Sequence, residues 1–123
     1  MNDKSACFNL LVLFSSDIER LRSFYEKLLD LQFVREQHDQ GPPHYSCKLG
    51  EVIFEIYPQK ERGEKSTASC GFLVSNLEDT IKLVGEDYIH CAPSACEYGK
   101  RAILCDPDKN LVHLLEKKEL ATH

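Results

Sequence analysis

Two copies of a strand-helix-strand-strand-strand module predict an α+β fold, with the copies pairing into a curved mixed sheet, helices outside and a cleft inside. Three observations carry this. Each half opens on an apolar strand that stops at the same kind of helix start: Ser16-Asp17-Ile18-Glu19, then Ser75-Asn76-Leu77-Glu78. Each helix is followed by three short strand-like runs, the last two joined by a tight turn. Each closing strand sets one ionisable side chain among apolar ones, in Phe54-Glu55-Ile56 and Val112-His113-Leu114. A module of this kind cannot bury both faces of its sheet alone, so two are needed. Residues 1–123 then make a single domain, with modules at about 7–58 and 69–116, a linker at 59–68 and a polar tail at 117–123.

In order, Phe8 to Phe14 is a nearly unbroken apolar run, read as a strand buried on both faces. Ser16 with Glu19 fits a capping box, with Ser16 as N-cap. Ile18, Leu21, Phe24, Tyr25, Leu28 and Leu29 fall at helical spacing, and Asp30 ends the helix as a left-handed residue. Leu31 to Arg35 is the second strand, and Glu36 to Pro43 a polar loop broken by Gly41-Pro42-Pro43. His44 to Leu49 and Val52 to Tyr57 both alternate, joined by Gly50-Glu51. A two-residue hairpin sets Leu49 against Val52, Ser46 against Glu55 and His44 against Tyr57. His44, Ser46, Lys48, Glu55 and Tyr57 then share one surface.

The second half repeats the pattern. Cys70 to Val74 is an apolar strand, and Leu77, Ile81 and Val84 give a shorter helical stripe closed by Gly85. Tyr88 to Ala92 reads as a strand and Pro93 to Gly99 as a loop. Arg101 to Cys105 and Leu111 to Leu115 form the last hairpin, around the turn Asp106-Pro107-Asp108-Lys109-Asn110, where Asn110 tolerates a left-handed conformation.

Composition narrows the partners. A net charge of −5 argues against a nucleic-acid backbone, which requires a basic face. No apolar run approaches the roughly 20 residues of a membrane span. Met1 to Lys4 is polar and leads straight into a strand, so no leader is expected. The six cysteines include no Cys-x-x-Cys pair, and His90-Cys91 with Cys96 comes nearest to a metal spacing. Free thiols in a reducing cytoplasm are the expectation.

With these residues placed, the chain resembles the vicinal oxygen chelate superfamily of glyoxalases, bleomycin-resistance proteins and extradiol dioxygenases. The likeness rests on Ser16-Asp17-Ile18-Glu19 leading to Phe24-Tyr25-Glu26-Lys27-Leu28-Leu29, and on Phe54-Glu55-Ile56-Tyr57-Pro58. Tyr98-Gly99-Lys100-Arg101 and Asp106-Pro107-Asp108-Lys109-Asn110 complete it, over about residues 8–116. The resemblance implies one metal ligand on the first strand and one on the last strand of each half. The last-strand places match Glu55 and His113. The first-strand places fall at Asn9 or Leu10 and near Ser69 or Cys70, where such proteins usually carry His or Gln. Leu10 cannot ligate, and Asn and Ser are poor ligands for a transition ion. Lys109 and Asp30 stand where glycine is usual, which bears on local geometry only.

The expected site is a hollow in which Glu55 and His113 face each other. Glu55 is a metal ligand or general base, and His44 an acid/base group or third ligand. Tyr57, Ser46 and Asn9 contact substrate. Arg101 anchors an anionic group if Cys105 pairs with Leu111. The plainer readings are Glu55 bonded to Ser46 or paired with Lys48 or His44, a satisfied inward His113, a salt-bridged Arg101, and Cys70 as apolar filler. The leading function is a glyoxalase/bleomycin-resistance-like protein, a homodimer by resemblance, that binds a small organic molecule without a full catalytic metal site. The alternative is a lyase, isomerase or dioxygenase using one divalent ion (Ni, Zn, Fe or Mn) on a substrate with vicinal oxygens. A third reading is an interaction module whose cleft is filled by Ile53, Tyr57 and Leu111.

Overall fold

A computed structural model describes residues 6–59 and 67–118. Most of the expected linker, 60–66, and the tail from 119 onward lie outside the described residues. The elements are β1 (Leu10–Ser15), α1 (Ile18–Leu29), β2 (Val34–Glu36), β3 (His44–Leu49), β4 (Val52–Pro58), β5 (Ser69–Val74) and α2 (Leu77–Val84). A short 3-10 turn at Glu86–Tyr88 leads to β6 (Ile89–Cys96), β7 (Gly99–Cys105) and β8 (Leu111–Lys117). They form two four-stranded sheets of identical plan, ordered β1-β4-β3-β2 and β5-β8-β7-β6, each with its first strand parallel to its last. The duplication read from the sequence is therefore a duplication of topology. Among the described residues no helix is long and apolar enough to cross a membrane.

Both hairpin registers follow from side-chain alternation: Leu49 pairs with Val52, Ser46 with Glu55, and Cys105 with Leu111. A slip by one residue would turn Phe54, Ile56, Leu104, Val112 and Leu114 out of the core, where all five are now buried. The helices cover that face. Tyr25 of α1 meets Phe54 edge-on at 5.1 Å, Phe24 meets Tyr88 at 4.9 Å, and Phe33 closes on Phe54 at 5.3 Å. The opposite face of each sheet is left open.

The two sheets share no ladder, so β1 and β5 are not hydrogen-bonded to each other. The halves are joined instead by α1 lying against α2 and by a polar clasp. The turn between β7 and β8 supplies the clasp: Asp106 accepts from the Tyr25 hydroxyl at 2.6 Å, and Asp108 accepts from the Ser15 hydroxyl at 2.6 Å.

Several local expectations need correction. β1 begins at Leu10 and buries one face only; Phe8, Leu10 and Phe14 are exposed because the second sheet does not cover them. The N-cap of α1 is Asp17, not Ser16: its carboxylate accepts from the Arg20 amide at 3.1 Å. Glu19 cannot close the capping box, because its carboxylate is held by Arg22 and Tyr45. Asn76 caps α2 in the same way, and Glu116 of β8 adds a bond from the Leu77 amide at 2.7 Å. β2 sits at Val34–Glu36, later than expected. The expected loop Pro93 to Gly99 is mostly strand: β6 runs through Pro93 to Cys96, tolerated because it is an edge strand whose register shifts between Cys91 and Ser94. Lys109, not Asn110, takes the left-handed conformation, at φ 74°. Asp30 ends α1 at φ 55°, as expected.

Gly99 opens β7 at φ 143°, and a methyl group there would lie 2.1 Å from the Glu116 carbonyl oxygen. Gly50, at φ 64°, would place the same methyl in open space. In urea denaturation Gly99→Ala is expected to cost about 2–3 kcal/mol through backbone strain and overlap. Gly50→Ala is expected to cost only about 1 kcal/mol, from the left-handed backbone alone. Equal effects would mean that the β7–β8 ends are not packed this closely.

Candidate functional site

The open face of the first sheet is set by three aligned rows. Leu10 lies beside Ile53, Val12 beside Glu55, and Phe14 beside Tyr57; Ser46 and then Val34 continue the Glu55 row. Glu55 is half-buried and, among the described residues, has no hydrogen-bond or ion-pair partner. Ser46 is opposite it on the backbone, as expected. Tyr57 stacks flat on His44, with ring centroids 4.1 Å apart and planes 9° from parallel. Desolvation, then the negative charges of Glu55 and Glu36, raise the Tyr57 hydroxyl above its ordinary value, so it stays a donor. Asn9 precedes β1 and is exposed; its carbonyl accepts from the Ile53 amide at 2.8 Å.

On the second sheet His113 lies between Gly71 and Ile103, and Arg101 between Leu115 and Ser94. Val12 and Gly71 stand equally far before the two helix caps, so Glu55 and His113 occupy matching places. A pocket of about 270 Å³ is walled by residues that include Gly71, Leu73, Cys96, Tyr98, Arg101 and His113. All its lining comes from the second half, and Glu55 is not part of it. Within one chain, that hollow therefore holds the imidazole without the acid. A Cβ at Gly71 would lie in ordinary contact with the His113 side chain, at 3.6 Å. Arg101 is exposed and has no salt bridge among the described residues.

A third arrangement was not read from the sequence. Glu36, His38 and His44 bring three metal-capable atoms within 4.8 Å of one another, so this His/Glu group can hold a divalent ion. Glu36 faces His44 across the β2–β3 ladder. The available signal was Glu36-x-His38 at a strand end, with Gly41-Pro42-Pro43 returning the chain to His44.

The open faces fit a metal poorly. Beside Glu55 and His113, the first strands offer Leu10, Val12, Ser69 and Gly71, which supply no strong transition-ion ligand. Cys70 turns to the helix side near Tyr25 and Asp106, and burial pushes its thiol up to about 11, which suits an inert packing group.

No family model matches the chain, and no curated protein sequence does. Solved structures do. TnmS3, an antibiotic binding protein from Streptomyces sp. CB03234, superposes with a TM-score of 0.74 at 15% identity, over 95% of this chain and 100% of that one. A glyoxalase/bleomycin resistance protein/dioxygenase family enzyme from Burkholderia phytofirmans PsJN gives 0.71 at 16%, over 89% and 97%. Lactoylglutathione lyase from Agrobacterium tumefaciens gives 0.65 at 13%, over 89% and 92%. At these identities the likeness is one of fold. The chain has the paired βαβββ fold of the vicinal oxygen chelate proteins.

Proposed function

We propose that this protein binds a small organic molecule on the open faces of its sheets, without a catalytic metal at Glu55 and His113, and that two copies of the chain pair to close the pocket. The pocket at His113 carries the reading. It is apolar at Leu73 and Tyr98, and it offers one cation at Arg101 and one imidazole, the mixture expected of a small-molecule site. It is walled on one side only, and Leu10, Phe14 and Ile53 of the other open face are exposed. Burying such patches is a common reason for chains to pair. The antibiotic-binding description of TnmS3 supports the ligand class. Six free thiols support a reducing compartment.

The probe is 8-anilinonaphthalene-1-sulfonate, an aromatic anion whose fluorescence rises on leaving water. Saturable binding to the native protein is expected, with Arg101→Gln weakening it about tenfold through loss of a charge-assisted bond. Because Arg101 is exposed, the melting temperature should hold. Sedimentation should give the mass of two chains. Unchanged affinity in Arg101→Gln would defeat the pocket assignment, and a single-chain mass would defeat the pairing.

A further inference from the structure

We propose that Glu36, His38 and His44 form a binding site for one divalent transition ion of borderline softness, with zinc as the type, at the β2–β3 end of the first sheet. This site adjoins Glu55 on the first sheet, with Tyr57 stacked on its His44, but it uses neither Glu55 nor His113 and does not depend on the small-molecule reading.

Local structure assembles the three side chains. Antiparallel pairing of β2 with β3 sets Glu36 opposite His44. The intervening loop turns sharply, with Asp39 at φ 51° and the Gly41 amide donating to the His38 carbonyl at 2.8 Å. That turn folds His38 back to within 5.2 Å of the His44 ring.

His44 is the informative member. Its side chain is 1% exposed and its ring plane is fixed against Tyr57. Nδ1 lies 3.1 Å from the Pro42 carbonyl oxygen. A carbonyl only accepts, so Nδ1 carries a proton, and in the neutral ring Nε2 presents a lone pair. Among the described residues that buried Nε2 has no hydrogen-bond partner. Buried polar atoms are rarely left this way, and an absent ion is one of the few explanations. Imidazoles that bind metals commonly donate their other N–H to a carbonyl or carboxylate, as His44 does to Pro42.

Two of the three spacings are close to those of coordination, and all three atoms lie within 4.8 Å of one another. Glu36 Oε1 is 3.5 Å from His44 Nε2 and 3.6 Å from His38 Nε2. These are long for hydrogen bonds. A tetrahedral zinc with ligands at about 2.0–2.1 Å separates them by roughly 3.3–3.4 Å, so small side-chain movements would suffice. Two imidazoles and one carboxylate suit such an ion, with the fourth position left to water. Glu36 and His38 are solvent-accessible, which leaves a path of entry.

The test titrates the metal-free full chain with Zn(II) by calorimetry, and with Co(II) followed by visible absorption. One ion per chain is expected, with cobalt giving the bands of a four-coordinate nitrogen and oxygen set. His38→Ala changes a side chain that is 70% exposed, and Glu36→Gln keeps the volume of the acid; each should lower affinity at least tenfold. Circular dichroism checks that both remain folded, and either one alone suffices for the comparison. The Glu55→Gln, His113→Ala double variant should bind as the unmodified chain does. The proposal is overturned by failure of the unmodified chain to take up either ion, by full affinity in His38→Ala or Glu36→Gln, by loss of uptake in the open-face double variant, or by thiolate charge-transfer bands from cysteine ligation.

Discussion

Asp106→Ala is expected to lower stability by about 3–5 kcal/mol, among the largest single effects in this chain. Asp106 is 2% exposed, yet its carboxylate is fully engaged. One oxygen accepts from the Asp108 amide at 2.8 Å and the Asn110 amide at 3.0 Å. The other accepts from the Asn110 side chain at 2.8 Å and the Tyr25 hydroxyl at 2.6 Å. Alanine would strand all these donors in the interior. It would also loosen Asn110, whose side-chain Oδ1 accepts from the Ala68 amide at 2.7 Å and so holds the start of β5. Tyr25→Phe removes one donor and leaves the rest paired, and should cost about 1 kcal/mol. Urea denaturation of the two variants reads the difference. Equal costs would mean that the carboxylate serves the tyrosine alone. Burial, then the charge of Asp106, raises the Tyr25 hydroxyl well above its ordinary value, so the tyrosine remains a donor as the pH rises.

Phe54→Ala is expected to cost a similar amount, about 3–5 kcal/mol, for a different reason. Phe54 is 0% exposed in the middle of β4, wedged edge-on between Tyr25 and Phe33. Removing the ring leaves a cavity that two hydrogen-bonded neighbouring strands cannot collapse to fill. Phe54→Leu keeps most of the volume and should cost about 1.5 kcal/mol or less. A small loss in the alanine variant would show that α1 can settle onto the sheet. That would undermine the picture of a rigid helix layer holding the open face from behind.

The two hairpins with clear polar-apolar alternation were legible in the sequence. Alternation through His44 to Leu49 and Val52 to Tyr57 placed Ser46, Glu55 and Tyr57 on one face, and the hairpin around Asp106 placed Arg101 with His113. The caps were legible in kind but not to the residue, because Ser16 and Asp17 are both competent and the choice depends on Glu19 being held elsewhere. Pro93 reads as a breaker when no edge is known to be available for it. The apolar run of β1 could not reveal that its second face has no cover, because that depends on how the halves join. Their joint is made by Tyr25, Asp106, Ser15 and Asp108, side chains far apart in the chain with no repeating pattern. The Glu36–His38–His44 group was hidden for a related reason: it exists only once the loop over 37–43 has turned.

The outer strands bear on colloidal behaviour. β2 is three residues long, and β6 carries Pro93 and a broken register. Each presents few evenly spaced amides and carbonyls to an incoming segment, and an irregular or very short margin is a poor template for cross-β growth. A molecule with two bare, partly greasy sheet surfaces would otherwise be at risk of fibrillation. Blunting two of the four margins lowers that risk, and the two regular six-residue margins, β1 and β5, are where any such growth would begin.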